Sequence, residues 1–375
     1  MSQINSQNLN SPRARNEIEF MKGYSAPLEG RRGYLRLDFN ENTIGPSPRV
    51  IEAIRKFDLK ELAIYPEYMG IKKAFIQNLN NKIPFNKIKI EEICMFNGVD
   101  AAIHSIFLAY GSKADDFLTT TPTFGYYYPC ANMQGMNIIN IPYENNDFNY
   151  PLENIYKILL ERKPKILMIC NPNNPTGTKL SAKEIFKLAK ISKGTLIVID
   201  ELYEAFDNIS IIPEVNFNEF QNIIVLRSLS KTAGLAGLRI GFAIGAEKII
   251  KNIKCVTGPY DINSIAVEAT FAALKDQAYI DNYVQEVINA KNWLKDELIK
   301  YQIKYHINGG NYFLLWPKND SLKVEKELKE RGILVRNMKG KNLINGSIRV
   351  SIGSQSQMKK FLYEYIDIDQ VKEIS

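Results

Sequence analysis

The chain has 375 residues, 45% hydrophobic and 24% charged, with a formal net charge of +7. That apolar content fills a sizeable core, which excludes disorder over most of the length and leaves room for about two domains. Apolar stretches such as Ile166–Cys170 run only a few residues before a polar one, far short of the roughly 20 a spanning helix needs, so no membrane partner is expected.

In chain order, residues 1–35 read as a flexible arm and a partly ordered lead-in. The first 20 are rich in Asn, Gln and Ser and contain no apolar segment of the kind a secretion signal requires. A helix is predicted over 48–57. Strand-like runs follow at 93–96, 116–120, 137–141, 166–170, 196–200, 223–227 and 240–244. Helical patterns, with apolar residues three and four apart, lie between several of them, at 101–110, 152–160 and 182–191. This alternation predicts an α/β fold, a mostly parallel sheet covered by helices on both faces. After about residue 260 the rhythm changes. A long helix over 278–301, a strand over 311–316, a helix over 322–331 and strand-like runs over 333–337 and 347–352 predict a smaller α+β unit. The expected division is an arm (1–35), a small unit (36–62 and 276–375) and a large one (63–275).

Lysines are spread along the chain, often beside glutamates, as over 291–300. A nucleic-acid binder concentrates them on one face, so no nucleic-acid partner is expected, while anionic small substrates suit the sign of the charge. Cys94, Cys130, Cys170 and Cys255 form no CxxC pair and read as reduced residues of a cytoplasmic protein. With only His104 and His306 available, no metal site is expected.

The most informative stretch is Arg227-Ser228-Leu229-Ser230-Lys231, followed by a glycine-punctuated run to Arg239. A lysine among apolar and small residues at a strand end is in the right setting to be desolvated and act as an amine nucleophile. Arg239 offers a bidentate grip on phosphate, and Ser228 and Ser230 add hydroxyls. Taken alone, the stretch reads more readily as a surface lysine and arginine on a glycine-rich loop. Asn171-Pro172-Asn173-Asn174-Pro175-Thr176-Gly177 follows the run 166–170, and its prolines and glycine fix the backbone so that a polar side chain is held at a strand's carboxyl end. In 196–203, four apolar residues precede Asp200, with Tyr203 three positions on. Asp200 is either a turn cap or a buried carboxylate in need of a cationic partner. Asn97-Gly98-Val99-Asp100 opens a helix whose free N–H groups favour an anion. Phe124 follows a strand and a proline turn, where a ring either packs or stacks on a flat heterocycle.

Together, and in this order, these stretches resemble the class I/II aminotransferases, pyridoxal-phosphate enzymes of fold type I, over roughly residues 24–365. The resemblance implies that Lys231 bonds covalently to the cofactor aldehyde and later moves the substrate proton. It implies that Asp200 binds the pyridinium nitrogen, that Tyr203 and Asn174 bind the ring's phenolic oxygen, and that Phe124 stacks on the ring. The phosphate would sit on the backbone of Val99 and Asp100 among Ser228, Ser230 and Arg239.

Leu37-Asp38-Phe39-Asn40-Glu41-Asn42, Tyr65-Pro66-Glu67 and Gly258-Pro259-Tyr260-Asp261 are similar to segments of the histidinol-phosphate aminotransferases. That likeness implies a homodimer in which Tyr65 reaches the partner subunit's cofactor phosphate. It also implies a substrate site of Tyr24, Asn42, Asn174, Arg336 and Arg349. The chain departs from the pattern at Thr43, at Ser228-Leu229 and in the arginine-rich lead-in 27–33, all on the substrate side. An aromatic amino acid aminotransferase and an enzyme like threonine-phosphate decarboxylase therefore remain alternatives. A ligand-sensing transcription regulator is disfavoured by the short stretch ahead of the core. A paralogue without turnover is disfavoured by intact Lys231, Asp200 and Tyr203.

Overall fold

The computed structural model describes residues 12–371. The part of the predicted arm over 1–11 lies outside the described residues. The remainder of the arm differs from the expected flexible segment. A single helical turn, Asn16–Glu19, rests on the helix Tyr127–Met133. Glu17 pairs with Lys113 at 3.1 Å, and the Arg15 guanidinium donates to the Met133 carbonyl.

Strand β1 (Leu35–Arg36) belongs to the smaller unit. Strands β2 (Ile93–Asn97), β3 (Asp116–Thr121), β4 (Asn137–Pro142), β5 (Ile166–Cys170), β6 (Leu196–Asp200), β7 (Ile223–Ser228) and β8 (Ile240–Gly245) form a seven-stranded sheet in the order β2-β8-β7-β6-β5-β3-β4. All pairings are parallel except those of β8, which runs against both β2 and β7. Every residue of β5 and β6 is buried, which is why both read as unbroken apolar runs and not as alternating ones. Two helices of the large unit start where the sequence supplies caps: Ser181 with Glu184 before Ala182–Ile191, and Asn263 before Ser264–Leu274.

The smaller unit contains β9 (Lys304–His306), β10 (Tyr312–Trp316), β11 (Ile333–Leu334), β12 (Arg336–Asn337) and β13 (Ile348–Ser351). β12, β13, β10 and β9 make a four-stranded antiparallel sheet, while β11 pairs in parallel with β1. The run expected as one strand over 333–337 therefore divides. Val335 turns into the small core, and the chain changes partners across it. The long helix Gln277–Lys300 lays Tyr283, Val287, Ala290, Leu294 and Leu298 against the same core.

The helix predicted over 48–57 spans Pro48–Arg55, opened by Ser47 as cap and Pro48 in its first turn. It was expected with the small unit, but its buried Val50 joins the core of the large one, and it packs on Ser264–Leu274. Tyr203 and Phe206, which follow β6, instead join the small core. The two units are thus keyed together around the site.

A second junction joins the Asn173–Thr178 turn to the start of the small sheet. The Gly309 N–H donates to the Gly177 carbonyl at 2.9 Å, the Tyr312 hydroxyl donates to the Asn173 carbonyl at 2.7 Å, and His306 Nε2 lies 2.8 Å from the Thr176 carbonyl. Gly177 has φ +71°, and a Cβ there would lie 2.5 Å from the Gly309 nitrogen. Gly177→Ala is expected to lower stability by about 1–3 kcal/mol through backbone strain and overpacking, measured as a reduced urea midpoint at unchanged slope.

Candidate active site

The predicted site residues gather at one edge of the large sheet, where the parallel strands end. Asn174 lies beyond β5, Asp200 closes β6 and Ser228 closes β7. Because β8 runs antiparallel, its beginning lies at this same edge, and Arg239 immediately precedes it. The helix Gly98–Tyr110 starts there too, directly after β2. An open α/β sheet binds ligands at this edge because strand ends and helix starts expose oriented backbone groups.

An anion cup forms from the last three of these elements. No side chain caps the start of Gly98–Tyr110, so the first-turn N–H groups at Val99 and Asp100 have no side-chain acceptor. Arg239 adopts a left-handed backbone, φ 57°, and its side chain lies across Gly98. A Cβ on Gly98 would meet Arg239 Nη2, and one on Gly241 would lie 2.5 Å from the Gly98 carbonyl carbon, so only glycines permit this approach. Arg239 Nη2 donates to Asp100 Oδ2 at 2.9 Å. Ser228 Oγ lies 2.9 Å from Ser230 Oγ and accepts from the Ser230 N–H at 3.1 Å, although the strand ends at Ser228.

Asp200 is buried, and burial pushes its carboxyl up to about 6. Hydrogen bonds oppose this: the Tyr127 hydroxyl donates to Oδ2 at 2.6 Å and the Leu202 N–H to Oδ1 at 3.2 Å. Tyr127 escaped the sequence reading. Its only signal was its place in the Tyr126-Tyr127-Tyr128 run, one helical turn after Phe124. Phe124 is half-buried, with its ring 5.5 Å from that of Tyr127 at 82°. The Tyr203 hydroxyl accepts from Asn174 Nδ2 and from Asn40 Nδ2, each at 3.2 Å, and burial drives it above the ordinary phenol range.

Lys231 donates through Nζ to the Phe39 carbonyl at 2.9 Å. Burial lowers its amine to about 8, helped by the positive charge of Arg349. Arg349, on β13, reaches from the small unit, with Nη1 donating to Asn174 Oδ1 at 2.7 Å and Nη2 to the Asp38 carbonyl. Among the described residues its Nε is buried without a partner. Arg336 stands directly opposite Arg349 in the β12–β13 register. Tyr24 sits edge-on to Tyr126 at 5.6 Å and to Phe124 at 6.4 Å.

Two further predicted residues make other contacts within this chain. Asn42 spends its side chain internally, donating to the Thr232 carbonyl and accepting from the Ile44 and Gly45 N–H groups, so it ties the lead-in to the lysine loop. Tyr65 is 69% exposed and stacks on Tyr260 at 4.0 Å, away from the residues just described. Asn40, fully buried at φ 54°, was not singled out by the sequence. It donates to Tyr203 and binds Ser351 Oγ through its own N–H at 2.8 Å.

A mainly parallel sheet with a half-buried lysine, a buried carboxylate and an anion cup at its carboxyl edge defines the aminotransferase type of α/β protein. The family model for aminotransferase class I and II matches residues 32–364, and the chain belongs to that family. A histidinol-phosphate aminotransferase from Caldanaerobacter subterraneus subsp. tengcongensis is 34% identical over 265 residues, covering 70% of this chain and 74% of its own. One from Thermoanaerobacter pseudethanolicus is 32% identical over 344 residues, covering 91% and 94%. In fold, the chain is similar to the crystal structure of the Sinorhizobium meliloti histidinol-phosphate aminotransferase in complex with pyridoxal-5'-phosphate. The TM-score is 0.84 at 20% identity, over 96% of this chain and 98% of that one.

The Asp200 carboxyl has a testable thermodynamic consequence. Its proton is held more tightly folded, near 6, than unfolded, near 3.8, so the cofactor-free protein loses stability as pH rises from about 4 to about 6. Asp200→Asn is therefore expected to be more stable than the parent at pH 7, on the order of 2–3 kcal/mol, and not at pH 4, as measured by urea unfolding of the apoprotein.

Proposed function

We propose that the chain transfers an amino group through pyridoxal phosphate, between L-histidinol phosphate as donor and 2-oxoglutarate as acceptor. The reading rests on one arrangement: a half-buried amine lowered toward neutrality, a buried carboxylate and an anion cup at one sheet edge, met by two arginines of the smaller sheet.

The donor set fits the cofactor. The cup of Val99, Asp100, Ser228, Ser230 and Arg239 suits a phosphate, and the glycines at 98 and 241 clear the backbone for it. Asp200, raised by burial, suits a positively charged ring nitrogen, and Tyr203 with Asn174 suits the ring's phenolic oxygen. Phe124 suits the face of the ring. When bound, the cofactor condenses with amines through its aldehyde and takes up the electron pair of the bond broken at the substrate's Cα.

Asp200 holds a proton on the ring nitrogen, its carboxylate gaining the cationic partner that burial demands. Lys231, with its amine lowered to about 8, accepts the Cα proton and delivers it to the cofactor's C4′. At neutral pH the free-amine fraction is some two orders of magnitude above that of an ordinary lysine. Tyr127 keeps Asp200 oriented through its short hydrogen bond. Arg349 and Arg336 grip the substrate's anionic end, a phosphate in one half-reaction and a carboxylate in the other, with Tyr24 and Asn174 at the margin of that grip.

The same reading makes the chain a homodimer. Leu59, Leu62, Ile64, Tyr65, Met69 and Tyr260 expose between 56% and 73% of their surface on neighbouring segments, an apolar area suited to a second copy. Tyr65 would then reach the partner subunit's phosphate. Cys94, Cys130 and Cys170 are buried and unpaired, which supports a reducing, cytoplasmic setting.

A donor panel read by cofactor absorbance tests the assignment. L-histidinol phosphate is expected to convert the bound cofactor to its amine form, with phenylalanine slower and no carbon dioxide released from phosphothreonine. Faster conversion by phenylalanine or carbon dioxide release transfers the assignment to the corresponding alternative. Lys231→Ala is expected to lower kcat by at least about 10³-fold while the phosphate cup still binds cofactor. Sedimentation of the holoenzyme is expected to give a dimer.

A further inference from the structure

Four neighbouring residues of the lead-in serve the site from one short stretch. The Asp38 carbonyl accepts from Arg349, and the Phe39 carbonyl accepts from Lys231. Asn40 donates to Tyr203, and Asn42 donates to the Thr232 carbonyl next to the lysine. Asn40 and Leu37 are fastened below to Ser351. The stretch lies in no long strand, so something else must fix it, and the structure shows a side chain in that place.

Arg31 lies in the arginine-rich lead-in where the sequence departs from its relatives' pattern. Its Nε and Nη2 fork onto Asp38 at 2.9 and 2.6 Å, and its Nη1 and Nη2 reach Glu41 at 3.2 and 3.0 Å. The guanidinium lies 4.0 Å over the Phe39 ring, so it grips residues 38, 39 and 41 at once. Only 13% of the side chain is exposed, against 39% for Arg36, which pairs with Glu41 alone. A planar five-donor group can close such a double fork and stack; an ammonium cannot.

We propose that Arg31 is a positioning residue of the aminotransferase reaction, a clamp that holds the 38–42 stretch so that its carbonyls fix Lys231 and Arg349 in one arrangement. This rests on the active-site reading of Lys231 given above. The clamp ties the proton-moving amine to the anion grip, so its loss disturbs both while leaving the phosphate cup, built on residues 98–100 and 228–241, untouched.

A purely structural clamp would change stability and nothing more. This one also controls charge and water around the amine. The charged groups acting on Lys231 are Arg349, Glu41, Asp100 and Arg239, and Arg31 neutralises Glu41. Removing Arg31 leaves Glu41 with less compensation and admits water; both raise the amine toward the ordinary lysine range. Loss of the Phe39 carbonyl acts the other way but is outweighed, because burial is the largest cause of the depression.

The test is competitive acetylation of Lys231 against pH in the full-length, cofactor-free chain, read by peptide mapping. It is joined by steady-state kinetics of the holoenzyme and by the equilibrium affinity for pyridoxal phosphate. In Arg31→Met the half-reaction pH is expected to rise by about half to one unit from its value near 8, cutting labelling at pH 7.5 about three- to tenfold. KM for the anionic donor should rise roughly tenfold, kcat should fall by a similar factor, and cofactor affinity should stay within about twofold. Arg31→Lys, which keeps the charge but not the fork, should restore the labelling pH only in part, and Arg331→Met, which breaks a remote ion pair with Glu364, should leave every readout unchanged. An unshifted labelling pH in Arg31→Met, or cofactor affinity lost in step with KM, overturns the proposal. Should Arg31→Met not fold, Asp38→Asn decides, because it breaks the Arg31 fork without removing Glu41: a raised labelling pH supports the clamp and an unchanged one refutes it. Failure of the underlying reading would show separately, as parent protein that does not take up pyridoxal phosphate at all.

Discussion

Burial acts on Lys231 and Asp200 with the same physics and opposite consequences. Taking either group out of water disfavours its charged form, which lowers the lysine and raises the carboxyl until the two lie about two pH units apart. For the lysine this is the useful direction, because a base must first shed its proton. For the carboxyl it is a cost, only partly offset by a phenol and a backbone amide, both neutral donors. A buried carboxylate in this state favours a ligand that brings positive charge to it.

The sheet topology makes that shared burial available. Parallel strands β5, β6 and β7 end together, and because β8 starts at that edge and runs back beside β2, Arg239 lies beside Gly98. The small unit closes the site from the other side. Arg349 on β13 reaches Asn174 beyond β5, and Tyr203, on the large unit's segment after β6, packs into the small core with Tyr312 at 4.9 Å. Relative movement of the units would therefore be felt at the amine, the phenol and the arginine pair together.

What the sequence revealed follows from how local each signal is. β5 and β6 announce themselves because burial on both faces leaves a run of four or five apolar residues, closed in β6 by Asp200 at the strand end, and Ala182–Ile191 because a capping box opens an amphipathic run. Lys231, Asp200, Asn174 and Arg239 were legible because each sits at a strand end within a stretch of unusual backbone preference. Tyr127, Asn40 and Arg31 were not, since their partners lie 73, 163 and 7 to 10 positions away and nothing in their neighbours marks the contact. The helix at Pro48–Arg55 shows the same limit: its period was plain, but which core its buried Val50 would join depends on Ser264–Leu274, over two hundred residues on. The split of 333–337 at Val335 is likewise a choice of partner strand, invisible in a short apolar run.

The arginine pair carries this reasoning to the substrate. Arg336 and Arg349 oppose each other across β12 and β13, and like charges in that register repel. Among the described residues Arg349 has only neutral acceptors, an amide oxygen and a carbonyl, and a buried Nε with none; burial and the neighbouring Arg336 together lower it from the usual guanidinium range. The nearby carboxylates Asp38 and Glu41 do not relieve it, because Arg31 already holds both. The site is therefore left wanting negative charge at the arginines and positive charge at Asp200. A flat ring with a protonatable nitrogen, joined to a ligand that carries an anionic group, satisfies both demands at once. The same segment that receives the Lys231 amine thus also has its carboxylates taken up by Arg31, which leaves the two arginines un-neutralised by them.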